Sequence, residues 1–109
     1  MIIPGKTAAA SSDTKIAILS KSADYTVSVD DGDNVLVLAT SSGGNVTITL
    51  YAASGNAGKI VQVKKLVAAN SVIIDGNSSE TIDGATTKTI TAINTSVSLA
   101  CDGSNWVIY

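Results

Sequence analysis

The chain has 109 residues, 45% of them hydrophobic but only 4% aromatic and 15% charged, with a net charge of −2. It contains no His, no Phe and no Arg. Electrostatic capture of nucleic acid and hydrolysis built on a His general base are therefore excluded.

What remains is a Val, Ile, Thr, Ala, Ser and Gly composition, with the β-branched bias of strands. Cys101 is the one cysteine, so no disulfide closes within the chain, and its apolar setting marks it as a small core residue. No run of about 18 apolar residues is present, and membrane insertion is not expected. Residues 1–15, an apolar tip followed by Ala, Ser, Thr and Asp, predict an extended N-terminal arm or tether. A single all-β domain is expected over residues 16–109.

From Lys15 the pattern is strands and turns. Lys15-Ile16-Ala17-Ile18-Leu19 opens, and Tyr25-Thr26-Val27-Ser28-Val29 alternates cleanly. Asp30-Asp31-Gly32-Asp33-Asn34 is a turn. Val35-Leu36-Val37-Leu38-Ala39 is apolar at every position and predicts burial on both faces. Val46-Thr47-Ile48-Thr49-Leu50 alternates again after a Gly-rich turn, and a small-residue loop leads to Lys59-Ile60-Val61-Gln62-Val63-Lys64-Lys65-Leu66. Ser71-Val72-Ile73-Ile74-Asp75 again predicts burial on both faces. A short strand over Glu80–Gly84, closed by another Asp-Gly, then Lys88–Ile93 and Ser96–Ala100, lead to a closing hairpin. There Asp102-Gly103, residues that accept positive φ, supply the turn before Trp106-Val107-Ile108-Tyr109. Burying the Trp106 indole stabilises by roughly 2–3 kcal/mol, so this hairpin is expected to lock the fold. Turn signals every 8–12 residues or so predict a compact antiparallel β-sandwich or barrel-like domain of nine or ten short strands, roughly. No fixed-period repeat is visible.

Several blocks resemble, in order, a β domain of tail-fibre and other receptor-region proteins of tailed bacteriophages. Asn45-Val46-Thr47-Ile48-Thr49-Leu50 is similar to that family's G-x-V-T-v-t-L-P block, with Tyr51 where the Pro usually stands. Gly58-Lys59-Ile60-Val61-Gln62-Val63-Lys64-Lys65 is similar to its G-k-x-h-x-h-K-k strand, and Asn70-Ser71-Val72-Ile73-Ile74 to a-N-x-V-t-I. Thr81-Ile82-Asp83-Gly84 resembles t-I-D-G, and Asp102-Gly103-Ser104-Asn105-Trp106 the dG-x-nW ending. The resemblance implies a structural virion protein on the phage particle surface, made in the bacterial cytoplasm. It further implies a tail-fibre or spike component that assembles as a homotrimer with other virion proteins around it. The alternatives are a capsid (head) decoration or head-fibre protein, and a carbohydrate-binding module without catalysis.

The chemistry-bearing residues are few. Trp106, with Asn105 and Asp102 beside it, makes a candidate platform for a host surface glycan; the competing reading is an aromatic plug over the core. Gly103, Trp106, Asp83 and Gly84 are the expected structural positions. Asp30, Asp31 and Asp33 offer oxygen ligands, but the spacing and closing Glu of an EF-hand are missing, and a solvated turn is the expectation rather than a metal site. Asp75, Glu80 and Asp83 are the one carboxyl cluster on which glycoside cleavage would draw, and all lie in turn contexts. No catalysis and no cofactor are expected.

Overall fold

The computed structural model describes residues 15–109, so the arm expected over residues 1–15 lies, but for Lys15, outside the described residues. Nine strands follow in order: β1 (Ala17–Lys21), β2 (Tyr25–Thr26), β3 (Asn34–Ala39), β4 (Val46–Thr49), β5 (Ile60–Lys65), β6 (Val72–Asp75), β7 (Thr87–Ile90), β8 (Ser96–Cys101) and β9 (Trp106–Ile108). The described residues contain no α-helix; a single 3-10 turn spans Val29–Asp31. The all-β expectation holds. Its antiparallel part does not.

Two sheets form, of order β1-β3-β5-β8-β9 and β2-β4-β6-β7. β1, β3 and β5 run parallel in the first, and β2, β4 and β6 run parallel in the second. The chain thus crosses from one sheet to the other with each strand and winds through three coils. Parallel neighbours need a long crossover, and here each crossover contains a strand of the facing sheet. Antiparallel pairing enters only when β7 doubles back on β6 and β8 and β9 complete the larger sheet. The result is two mixed sheets packed face to face.

The coils repeat although the sequence does not. Asp24, just before β2, accepts a hydrogen bond from Thr47 N through Oδ1 at 2.8 Å. Asn45, just before β4, accepts one from Ser71 N through Oδ1 at 2.9 Å. Each coil so caps the next. The step from Ala17 to its partner Val35 is shorter than the step from Val35 to Val61, which hides the period.

Between the sheets lies one core. Val35, Val37 and Ala39 meet Val61, Val63 and Leu99 from the larger sheet and Val46, Ile48, Val72, Ile74 and Ile90 from the smaller. The rows run straight across the strands, Ala17 opposite Val35, then Val61, Leu99 and Ile108. Lys65 continues this inward set and is fully buried, its Nζ donating to the carbonyls of Val67 and Ala68 (3.0 Å to the latter). A buried ammonium with hydrogen-bond partners keeps its loop folded over it, because losing them would leave the charge unsolvated.

Burial on both faces of β3 and β6 is not what the described chain provides. Leu36, Leu38 and Ile73 point outward and are only half-buried. The outer face of the larger sheet is mixed: its rows run Ile18, Leu36, Gln62 and Ser98; Ser20, Leu38, Lys64 and Ser96; and Asn34, Ile60, Ala100 and Val107. The outer face of the smaller sheet is instead Thr26, Thr47, Thr49, Thr87 and Thr89 around Ile73 and Asp75.

Candidate functional site

The site residues singled out at the closing hairpin come together in one corner. Asp102 Oδ1 accepts from Ser104 N at 2.8 Å and from Asn105 N at 2.7 Å, closing a tight turn. Those two bonds, Asn105 first, hold the Asp102 carboxyl below its ordinary value because they favour the charged form. Gly103 sits at φ +97, a conformation a β-carbon resists. Trp106 follows and is wholly buried, its ring edge-on to Tyr51 with centroids 5.2 Å apart and planes at 69°.

Residues 81–84 dock against this hairpin. Trp106 N donates to Thr81 O at 2.9 Å, and Asp83 N donates to Trp106 O at 3.0 Å. Asn105 Oδ1 accepts from Thr81 N at 2.8 Å, and Asp83 Oδ1 accepts from Ile108 N at 3.0 Å. Ile82 is buried beneath, and Asp83 and Gly84, at φ 50 and 86, turn the chain away. The strand expected over Glu80–Gly84 is therefore one residue, Ile82, bridged to both Ala85 and Trp106 and followed by a turn. Positive φ at two successive residues ends a strand.

This geometry removes the glycan platform at the corner. The Trp106 ring presents no face to solvent. The Oδ1 atoms of Asp102 and Asn105 are already taken by backbone N–H groups. Trp106 Nε1 and Tyr51 Oη are buried without a hydrogen-bond partner among the described residues, and burial is the main cause pushing the Tyr51 phenol up to about 12, ahead of electrostatic contributions from Cys101 and Asp33.

The carboxyl cluster dissolves in the same way. Both Glu80 carboxylate oxygens accept from Ala53 N, at 3.0 and 3.1 Å. Gly76 lies under the same loop, where a β-carbon would stand 2.4 Å from Glu80 O. Glu80 therefore pins two loops together, while the Asp83 carboxylate is spent on β9.

The acidic turn is a built cap. Asp31 Oδ2 accepts from Ser28 N at 2.9 Å and from the Tyr25 hydroxyl at 2.7 Å, and Ser28 Oγ accepts from Asp30 N. That makes a capping box around Val29–Asp31. The bond to Asp31, more than burial, raises the Tyr25 pKa. Asp33 pairs with Lys59 at 3.6 Å and is mostly exposed. Lys15, Ile16, Ala17 and residues 31–34 line a cleft of about 330 Å³ beside this turn. Asp30, Asp31 and Asp33 are not gathered on one point: among the described residues no group of three or more His, Cys, Asp or Glu side chains is arranged to hold a metal ion.

Two features escaped the sequence reading. Lys65 is buried, which the inward alternation Val61, Val63, Lys65 signals in principle. The outer face of the larger sheet, half apolar and half polar, is assembled from five strands and has no local signature.

No protein-family profile matches the chain, and no curated protein matches it significantly.

Proposed function

We propose that this chain is a non-catalytic structural protein of a tailed-bacteriophage virion, a tail-fibre or spike component that assembles as a homotrimer. One observation carries the reading. The two most characteristic blocks of the resemblance, Thr81–Gly84 and Asp102–Trp106, are hydrogen-bonded to one another through three bonds, with a fourth from Ile108 N to Asp83 just beyond them. Ordinary Asp-Gly turns scattered by chance have no reason to interlock. Here they form one corner, with Ile82 and Trp106 buried under it.

The carboxylates support the non-catalytic part, since Glu80, Asp83 and Asp102 hold backbone N–H groups rather than facing a common space. The corner disfavours the carbohydrate-binding module. Head decoration is the runner-up and shares every structural argument given for the fibre.

Labelled antibody against the chain, applied to intact virions, tests the proposal. Label on tail fibres or spikes is the expected result. Label on the head would transfer the chain to the decoration role, and washed particles free of the protein would overturn a virion role altogether.

A further inference from the structure

After Trp106, Lys65 is the largest fully buried side chain of the described residues. Among those residues no carboxylate lies within ion-pair distance of it; the one ion pair there joins Lys59 to Asp33. Its charge is met by backbone instead. Lys65 Nζ donates to the carbonyls of Val67 and Ala68, neither of which accepts from a backbone N–H among the described residues. The next carbonyl, Ala69 O, accepts from the buried Ser41 hydroxyl at 2.7 Å. Asn70, at φ 60, closes the loop, its Nδ2 donating to Ser41 O at 2.8 Å. Three successive carbonyl oxygens thus accept from side chains held beneath the loop.

We propose that the loop over Val67–Asn70 is a binding site for a primary alkylammonium group, which this chain fills with its own Lys65. The inference is independent of the virion reading above. Donor chemistry selects the ligand. An ammonium brings three N–H groups and no acceptor, so it suits a seat made of carbonyl oxygens alone. Its hydrogen bonds are about twice as strong as those of a neutral donor. A hydroxyl has one hydrogen to give, as Ser41 shows at Ala69 O, and so cannot serve both Val67 O and Ala68 O.

The approach to the seat narrows the class further. Lys65 continues the inward row of Val61 and Val63, so its hydrocarbon stem runs in the core and only the tip meets oxygen. A bare metal ion has no apolar part to bury along that path, whereas an alkylammonium matches both halves. The loop is therefore held by a cation on an apolar stem, and the covalent bond to the chain is dispensable. If the side chain is cut back, the cavity left behind should take up a free molecule of the same outline, as buried cavities do for ligands that match their lining.

Chemical rescue of the full chain tests this. Lys65→Ala removes the outline of n-propylammonium and is expected to melt about 10 °C or more below the wild type. Added n-propylammonium chloride should raise the variant's melting temperature saturably, by at least about 4 °C, and leave the wild type, whose seat is filled, unmoved. Sodium chloride and n-propanol at the same concentration should do neither. No rescue, or equal rescue by either control, overturns the ammonium site. Lys65→Met keeps the stem and loses the donor, so it is expected to stay folded by circular dichroism. Hydrogen exchange should then speed up at least about tenfold at the Leu66 and Ser71 amides, which flank the loop and bond to Ala39 O and Asn45 Oδ1. The Leu50 amide, bonded to Asp75 O at the other end of the sandwich, should be unchanged. Wild-type exchange at Leu66 and Ser71 in Lys65→Met overturns the dependence on a cation, and decides the matter alone should Lys65→Ala fail to fold in every solution.

Discussion

The turns at Asp31-Gly32 and Asp102-Gly103 use one device over different ground. In each, a carboxylate oxygen gathers groups from the turn: Ser28 N–H and the Tyr25 hydroxyl in the first, the N–H groups of Ser104 and Asn105 in the second. Beneath the first lies a cleft, and Val29 beside it is 42% exposed. Beneath the second lies Trp106, wholly buried against Tyr51. Each hydrogen bond is worth about 1 kcal/mol net, so the bonds set the shape of both turns. Burial decides which of them the fold depends on.

The sharpest way to break this comparison is Trp106→Ala, expected to cost about 3–5 kcal/mol in denaturant unfolding. A loss below about 1 kcal/mol would mean that the two turns are equals after all. Gly103→Val comes next, at about 1–3 kcal/mol, from forcing a β-branched residue to positive φ; an unshifted melting temperature would refute the strain. Asp31→Asn is expected to cost about 1 kcal/mol, since it weakens the capping box. Asp33→Asn, on a side chain left mostly in water, should stay within about 0.5 kcal/mol. Thermal melts of the pair, run side by side, tell a built cap from a solvated acid cluster.

The smallest effects appear only at the extremes of pH. Tyr51 is pushed up to about 12 from 10.0, chiefly by burial. Its contribution is fully present below pH 10.0 and is lost as pH rises through the folded value. Tyr51→Phe is therefore expected to flatten that alkaline limb of the melting curve, with little change at neutral pH because the hydroxyl has no partner among the described residues. Asp102 has the opposite sign. Its lowered pKa contributes above the ordinary 3.8 and is lost as pH falls through the lower folded value. Asp102→Asn should remove a slight acid dependence, and an unchanged acid limb would show that the turn does not need the charge.

The sequence carries the alternation of each strand but not the direction of its neighbour. Val35, Val37 and Ala39 point inward whether β3 pairs parallel or antiparallel, and a short turn serves a hairpin and a crossing between sheets equally well. The closing hairpin was legible because Asp102-Gly103 admits few other geometries. Glu80–Gly84 misled in its first half, because Ile82 is buried like a strand residue, while Asp83-Gly84 carries the same positive-φ signal as the closing turn. The corner formed by residues 81–84 and 102–106 required knowing that β9 lies beside Ile82, a long-range fact. Lysine is rarely buried, and only the place of Lys65 in the inward row marks it as a core residue.

The winding of β1 to β6 also bears on how fast the molecule can form. Each parallel pair waits for the chain to traverse the facing sheet and return, so loop-closure entropy is spent before any contact rewards it. β8 and β9 alone are joined by a tight turn. Such a hairpin closes in about 1–10 μs, yet Trp106 has nothing to bury against until Tyr51 and Ile82 arrive. Refolding should therefore fall in the millisecond-to-second range typical of non-local β topologies, with indole fluorescence reporting a late event: the moment at which the coils and the closing hairpin first meet.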